Sequence, residues 1–206
     1  MTKAPEEGQV WEWRAFGRVS DDLKARVQAH PIRMGIQDRV EDDLYFISAR
    51  SDQNVKLRKS GDEWTLKFKF LLATEARSIE LYRESLSTMY RFPVEAIRLQ
   101  EAAKLLDVTL PESAHLSGSY DKESFVKTLA ASTPSVSTVR VSKMRSQFQY
   151  DGGWMELAYV TFPGAYRESL SIQSPDRRVV EEMLDAIQPG PELEVMNYIE
   201  ACRRWS

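Results

Sequence analysis

The chain has 206 residues, 42% of them hydrophobic and 29% charged, enough for one large or two small globular domains with a substantial core. Its formal net charge is −3, with a pI near 5.6. That balance excludes a bulk field favouring nucleic acid, so any anion site must come from local arrangement.

Residues 1–8, with Pro5 and Gly8, read as a loose polar segment. QVWEWRAFG is a strand ended by Gly17. Ser20 caps a short helix, DDLKARVQAH, closed by Pro31. The stretches RMGIQ, DDLYFIS, QNVKLRK, EWTLKFKFL and RSIELYRES follow as strands, with a hairpin turn at SGDE. After Pro93, VEAIRLQEAAKLLDV is rich in helix formers, and DKESFVKTLAAS places Phe125, Val126 and Leu129 at helical spacing. Strands return as STVRVSKMRSQFQY, GWMELAYVTF and YRESLSIQS, the first two joined at Asp151-Gly152-Gly153. Ser174-Pro175 opens a helix with an apolar stripe of Val179, Val180, Met183, Leu184 and Ile187. Pro189-Gly190-Pro191 breaks it, and ELEVMNYIEACRRW reads as a final helix.

This order of strands, helices, strands and helices predicts an α+β fold around a mostly antiparallel sheet or barrel. The body is expected over residues 9–187, with a helical insertion at about 93–132 and a C-terminal helix over 190–206. Each half carries a basic K-x-R strand followed by a hairpin.

Strand alternation has a period of two. It puts Asn54, Lys56 and Arg58 on one face, with Val55 and Leu57 opposite. Thr65, Lys67 and Lys69 share a face, with Trp64, Leu66, Phe68 and Phe70 opposite. Lys143, Arg145, Gln147 and Gln149 line up in the second half. On the first strand Val10, Glu12 and Arg14 oppose Trp11 and Trp13. A solvated outer sheet face would give the same alternation. Against that stands the absence of acids on the basic faces of 54–58 and 65–69, where like charges repel unless water or an anion lies between them. Apolar faces packed on helices would leave the basic faces inside a closed barrel, which can hold a wet interior at about eight strands.

Other chemistry finds little support. Cys202 is the single cysteine, which rules out an intramolecular disulfide and a cysteine zinc cluster. His30 and His115 lack a second ligand at metal spacing. His30 reads as a helix-end residue, Cys202 as a packing residue, and the tryptophans as core or rim. There is no G-x-x-x-x-G-K-[ST], G-x-S-x-G or H-E-x-x-H. MTKAPEEGQV has no apolar signal core and no run approaches a membrane span, so a soluble, cytoplasmic protein is expected, with no membrane partner and no nucleic acid.

The stretch DLYFISARSDQNVKLRKSGDEWTLKFK resembles the K/R-x-R and L-x-x-K strands of CYTH-like proteins, the triphosphate tunnel metalloenzymes. VSKMRSQFQYDGGWMELAYV is similar to their later K-x-R strand and glutamate-bearing strand. SLSIQSPDRRVVEEMLDAI resembles the closing strand and helix. The resemblance implies an eight-stranded antiparallel barrel forming a tunnel, with helices packed outside. It implies phosphate contacts from Arg14, Lys56, Arg58, Lys67, Lys69, Lys143 and Arg145. Glu12 and Glu156 would be the catalytic carboxylates holding Mg2+ or Mn2+. The ligand would be a small polyphosphorylated anion: triphosphate, nucleoside triphosphate or polyphosphate. Two readings stay open: a metal-dependent triphosphatase, with adenylyl cyclase less favoured, or a binding module or interaction scaffold that has lost part of the acidic site. The departures are Val10, Ala158 and Gln173, which stand where the family carries acids. Glu80 and Glu84, beside Tyr82, are the compensating acids if that face turns inward.

Overall fold

The computed structural model describes residues 8–29, 34–84 and 88–206, without the side chains of 34–38. His30, Pro31 and residues 1–7, most of the segment expected to be loose, lie outside the described residues. In chain order, β1 (Gln9–Gly17) leads to α1 (Asp21–Ala29), then β2 (Met34–Ser48), β3 (Ser51–Ser60), β4 (Glu63–Thr74) and β5 (Glu80–Arg83). Short strands β6 (Met89–Arg91) and β7 (Val94–Glu95) precede α2 (Ala96–Leu105), β8 (Ser119–Tyr120) and α3 (Lys122–Ala130). The second half runs β9 (Ser137–Tyr150), β10 (Gly153–Phe162), β11 (Ala165–Ser174), α4 (Arg177–Ile187), β12 (Leu193–Val195) and α5 (Tyr198–Trp205).

Strands pair in the order β11-β10-β9-β2-β3-β4-β5-β1, and β1 pairs back onto β11, all antiparallel. The result is a closed eight-stranded antiparallel barrel with the five helices packed on it. Closure leaves no exposed edge within the ring. Hairpins turn at Gly61 (φ 60) and Gly152 (φ 83), left-handed positions where glycine carries no Cβ penalty.

The apolar alternation decides which face points out. Val55, Leu57, Leu66 and Phe68 pack on Leu99, Ala102, Phe125 and Leu129 of α2 and α3. Trp13, Met155, Leu170 and Ile172 pack on Leu23 and Val27 of α1 and on Val180 and Leu184 of α4. Each fully buried Leu or Phe contributes roughly 1.5–3 kcal/mol, which anchors the helices outside. A third cluster lies within the barrel. Phe16, Tyr45, Val139, Val141, Val160 and Phe162 meet Tyr198, Ile199, Ala201 and Cys202 of α5, so that helix closes one end as an apolar floor.

Three expected elements differ. RMGIQ and DDLYFIS are parts of one strand, β2, because β9 pairs along both; a register shift between Ile36 and Arg39 absorbs the polar interval. RSIELYRES is a strand only over Glu80–Arg83, since Arg77 and Ser78 take positive φ in a 3-10 turn before it. The last element is a strand and then a helix: β12 adds to the edge of β1, and α5 starts after the capping box of Asn197 with Glu200.

Candidate functional site

Above the apolar floor the barrel interior is charged. It holds an open-mouthed cavity of about 740 Å³ lined by strands from both halves. All seven expected cations, Arg14, Lys56, Arg58, Lys67, Lys69, Lys143 and Arg145, line it. Each sits on an inward position of its strand, as the alternation requires. Gln147, Gln149, Trp154 and Gln173 complete the wall with neutral polar groups.

The basic faces are not without acids, contrary to the sequence expectation. Their partners arrive from strands that are adjacent in space. Asp43 and Glu41 come from β2, which lies between β3 and β9, with Asp43 opposite Arg58 and Glu41 opposite Lys143. Glu84 follows β5. The signal was present as E-x-D-x-Y in β2: Glu41, Asp43 and Tyr45 share one face at period two.

Cations and carboxylates alternate around the cavity. Lys67 pairs with Glu84, and Lys69 lies 3.5 Å from Glu84 and 2.5 Å from Glu12. Arg14 Nε donates to Glu12 at 2.8 Å, and its Nη1 donates to Glu156 at 3.3 Å and Ser169 Oγ at 3.0 Å. Arg145 reaches Glu156 at 2.8 Å and also Glu41. Arg58 lies 2.8 Å from Glu41 and 2.9 Å from Asp43. Asp43 then holds Lys56 at 3.0 Å and Lys143 at 2.5 Å, with the Tyr45 hydroxyl donating at 3.3 Å. The chain of pairs begins and ends on cations. Its ends meet where Lys56 and Lys67 stand directly opposite each other on β3 and β4.

Burial makes these pairs matter, because water cannot screen them. Burial would raise the Asp43 carboxyl, but Lys143, Lys56 and Arg58 outweigh it and hold the group well below the ordinary range. Burial likewise opposes Glu156, yet Arg14 and Arg145 keep it at about 2. Glu12 is lowered against burial by Lys69 and Arg14. Lys56 is pressed well below the usual ammonium range by burial and by Lys143, Arg58 and Lys67, despite Asp43. Lys143 is likewise lowered by burial despite Asp43. Seven basic side chains face five carboxylates among the described residues, so the positive excess lies with the two buried lysines, Lys56 and Lys143, whose charge a bound anion would favour.

The remaining expected positions fall as follows. Val10 lines the cavity, and Gln173 donates from Nε2 to Glu12 at 2.8 Å while accepting from the Trp154 indole at 2.7 Å. Ala158 belongs to the apolar floor, two residues deeper than Glu156 on the same face. Of the two compensating acids, Glu84 lines the cavity, whereas Glu80 accepts from the Tyr82 hydroxyl at 2.6 Å and the Asn197 amide at 2.8 Å. Cys202 is fully buried in the floor.

The carboxylates do not suit a divalent metal as they are arranged. Glu12 and Glu156 are brought together, but the Arg14 guanidinium lies between them. Among the described residues no three acids, histidines or cysteines converge. The buried polar atoms without a hydrogen-bond partner include a donor, Arg145 Nε, and an acceptor, Glu41 Oε2, the latter already 2.8 Å from the Arg58 guanidinium.

No protein-family profile matches the sequence, and no curated protein matches it. Solved structures do. The PH1012 protein of Pyrococcus horikoshii OT3 superposes with a TM-score of 0.52 at 18% identity, covering 92% of this chain and 98% of its own. An adenylate cyclase candidate from Bacillus halodurans gives 0.52 at 16% identity over 94% and 98%. HpAC1 from Hippeastrum, an adenylyl cyclase candidate with a dominant triphosphatase activity, gives 0.51 at 10% identity over 95% of both chains. At these identities the likeness is one of fold. No described helix is long and apolar enough to cross a membrane. In its closed antiparallel barrel this chain shares the fold of these three proteins.

Proposed function

We propose that this protein binds a compact polyanion of the triphosphate class in the barrel cavity. The observation that carries the reading is the convergence of seven cations from both halves on one cavity. A triphosphate carries several negative charges within a few ångströms, and fixed cations neutralise it with little reorganisation. The cation-to-cation junction of Lys56 and Lys67, with Lys143 beside Lys56 on Asp43, is where a phosphoryl group relieves most repulsion. Arg145 Nε and the Asn54 side-chain oxygen, both buried without hydrogen-bond partners, add polar contacts; rotating the amide presents its N–H to phosphate.

Catalysis is the second reading, favoured by the pairing of Glu12 with Glu156 across β1 and β10 and by the triphosphatase activity of HpAC1. In it, Glu12 and Glu156 would hold Mg2+ or Mn2+ and the lysines would stabilise charge on the phosphate. That route requires both acids to exchange Arg14 for the ion.

Titration calorimetry with sodium tripolyphosphate tests the first reading. Lys56→Ala and Arg58→Ala should each weaken binding by about 1.5–3 kcal/mol, the value of a buried charge-assisted contact. Unchanged affinity in both would remove the cavity from the reading. Phosphate release with magnesium or manganese, compared with background, decides the second.

A further inference from the structure

We infer that the cavity takes its polyanion free of divalent metal, with the Arg14 guanidinium filling the place between Glu12 and Glu156 that an ion would need. The inference rests on the anion-binding reading above. Its basis is the alternation of charge. Every approach between neighbouring carboxylates is already filled by a side-chain cation: Lys69 between Glu84 and Glu12, Arg14 between Glu12 and Glu156, Arg145 between Glu156 and Glu41, Arg58 between Glu41 and Asp43.

Arg14 is the most firmly held of these. It bonds Glu12, Glu156 and Ser169, and its guanidinium lies 4.6 Å from the centroid of the Tyr198 ring, which α5 fixes in the floor. Guanidinium is permanently charged, planar and forked, so it spans two carboxylates without a proton or an ion being recruited. Magnesium demands near-octahedral oxygen ligands and gives up water reluctantly. To enter here it must displace a buried, multiply bonded arginine and leave that arginine unpaired. A free polyphosphate meets no such barrier. A polyphosphate complexed with magnesium brings added positive charge and binds less well.

Two measurements test this. The first is calorimetric titration of the full chain with sodium tripolyphosphate, in EDTA and in excess magnesium. Binding should occur in EDTA and weaken by about tenfold or more when magnesium complexes the ligand. Tighter binding with magnesium would overturn the inference while leaving the anion reading intact. Absence of binding in both buffers would instead sink the anion reading.

The second measurement is independent of the anion. Electron paramagnetic resonance of Mn2+ titrated into ligand-free protein should find the ion free with wild type. Arg14→Gln opens the space between the two glutamates and should sequester Mn2+, and the added change Glu156→Gln should release it. Mn2+ held stoichiometrically by wild type and lost in Glu12→Gln would overturn the inference. The wild-type arms decide the matter even if the Arg14 variant does not fold.

Discussion

The two ends of the barrel interior are built by the same strands, yet one is dry and the other charged. On β9 the inward residues run Val139, Val141, then Lys143, Arg145, then Gln147, Gln149. On β1 Phe16 belongs to the floor while Arg14 and Glu12, two and four residues away, belong to the charged wall. Backbone geometry is the same throughout. The floor contributes stability by excluding water and by ring contacts, such as Phe16 with Tyr198 at 5.2 Å and with Trp205 at 5.7 Å. The wall gains less from its charges, because desolvation offsets much of the attraction between buried ions. It retains instead a positive excess available to a ligand. The dry floor sharpens that excess, since low dielectric beneath Lys56 and Lys143 lengthens the reach of their charge.

This contrast is broken most directly by one substitution in each region. Asp43→Asn leaves Lys56 and Lys143 without their carboxylate and Arg58 with Glu41 alone, and should cost about 3–5 kcal/mol of stability. Phe16→Ala should cost a similar amount, about 3–5 kcal/mol, through the cavity it opens. Tripolyphosphate should restore most of the melting temperature of Asp43→Asn, by replacing the lost anion, and none of the deficit specific to Phe16→Ala. Equal rescue of both variants, in thermal unfolding with and without ligand, would show that floor and wall are not separate in function.

Acid sharpens the same division, because only the wall titrates. Glu156 is depressed to about 2 in the folded chain from an ordinary 4.5. A carboxyl with a depressed folded value stabilises above its unfolded value and loses that contribution as pH falls through the folded one. Stability measured in urea should therefore drop between pH 4.5 and about 2. The share from Glu156 is on the order of 3 kcal/mol. Glu156→Gln should flatten that part of the curve. A curve as steep as wild type would assign the acid lability to other carboxylates.

The smallest effect is expected at the mouth. Trp154 is 36% exposed and its indole is tied only to Gln173 among the bonds described. Trp154→Phe should change stability by no more than about 0.5 kcal/mol. Triphosphate affinity should stay within about threefold. A larger loss of affinity would mean that the rim, and not only the charged wall, grips the ligand.

Much of the charged wall was legible in the chain. Period-two alternation in NVKLRK, EWTLKFKF and VSKMRSQFQY aligned each set of cations, with large apolar residues opposite them that helices could cover. Local residue order set which side chains share a face; that the lysine face turns inward, and not out to solvent, was decided by closure of the barrel. Tertiary structure alone decided what those lysines would meet. The E-x-D-x-Y run of β2 aligns Glu41, Asp43 and Tyr45 on one face but does not say which face turns inward, since Val40, Leu44 and Phe46 compete with Tyr45 and Ile47 for burial. Closure placed β2 between β3 and β9, and register set Asp43 opposite Arg58. The helix expected over 190–206 became a strand and a floor for the same reason. Its apolar residues had a partner only once β1, β2, β9 and β10 had curled into a barrel. Sequence order sets which side chains share a face; the pairing of faces from distant strands, and with it the placing of each carboxylate between two cations, is fixed only by closure.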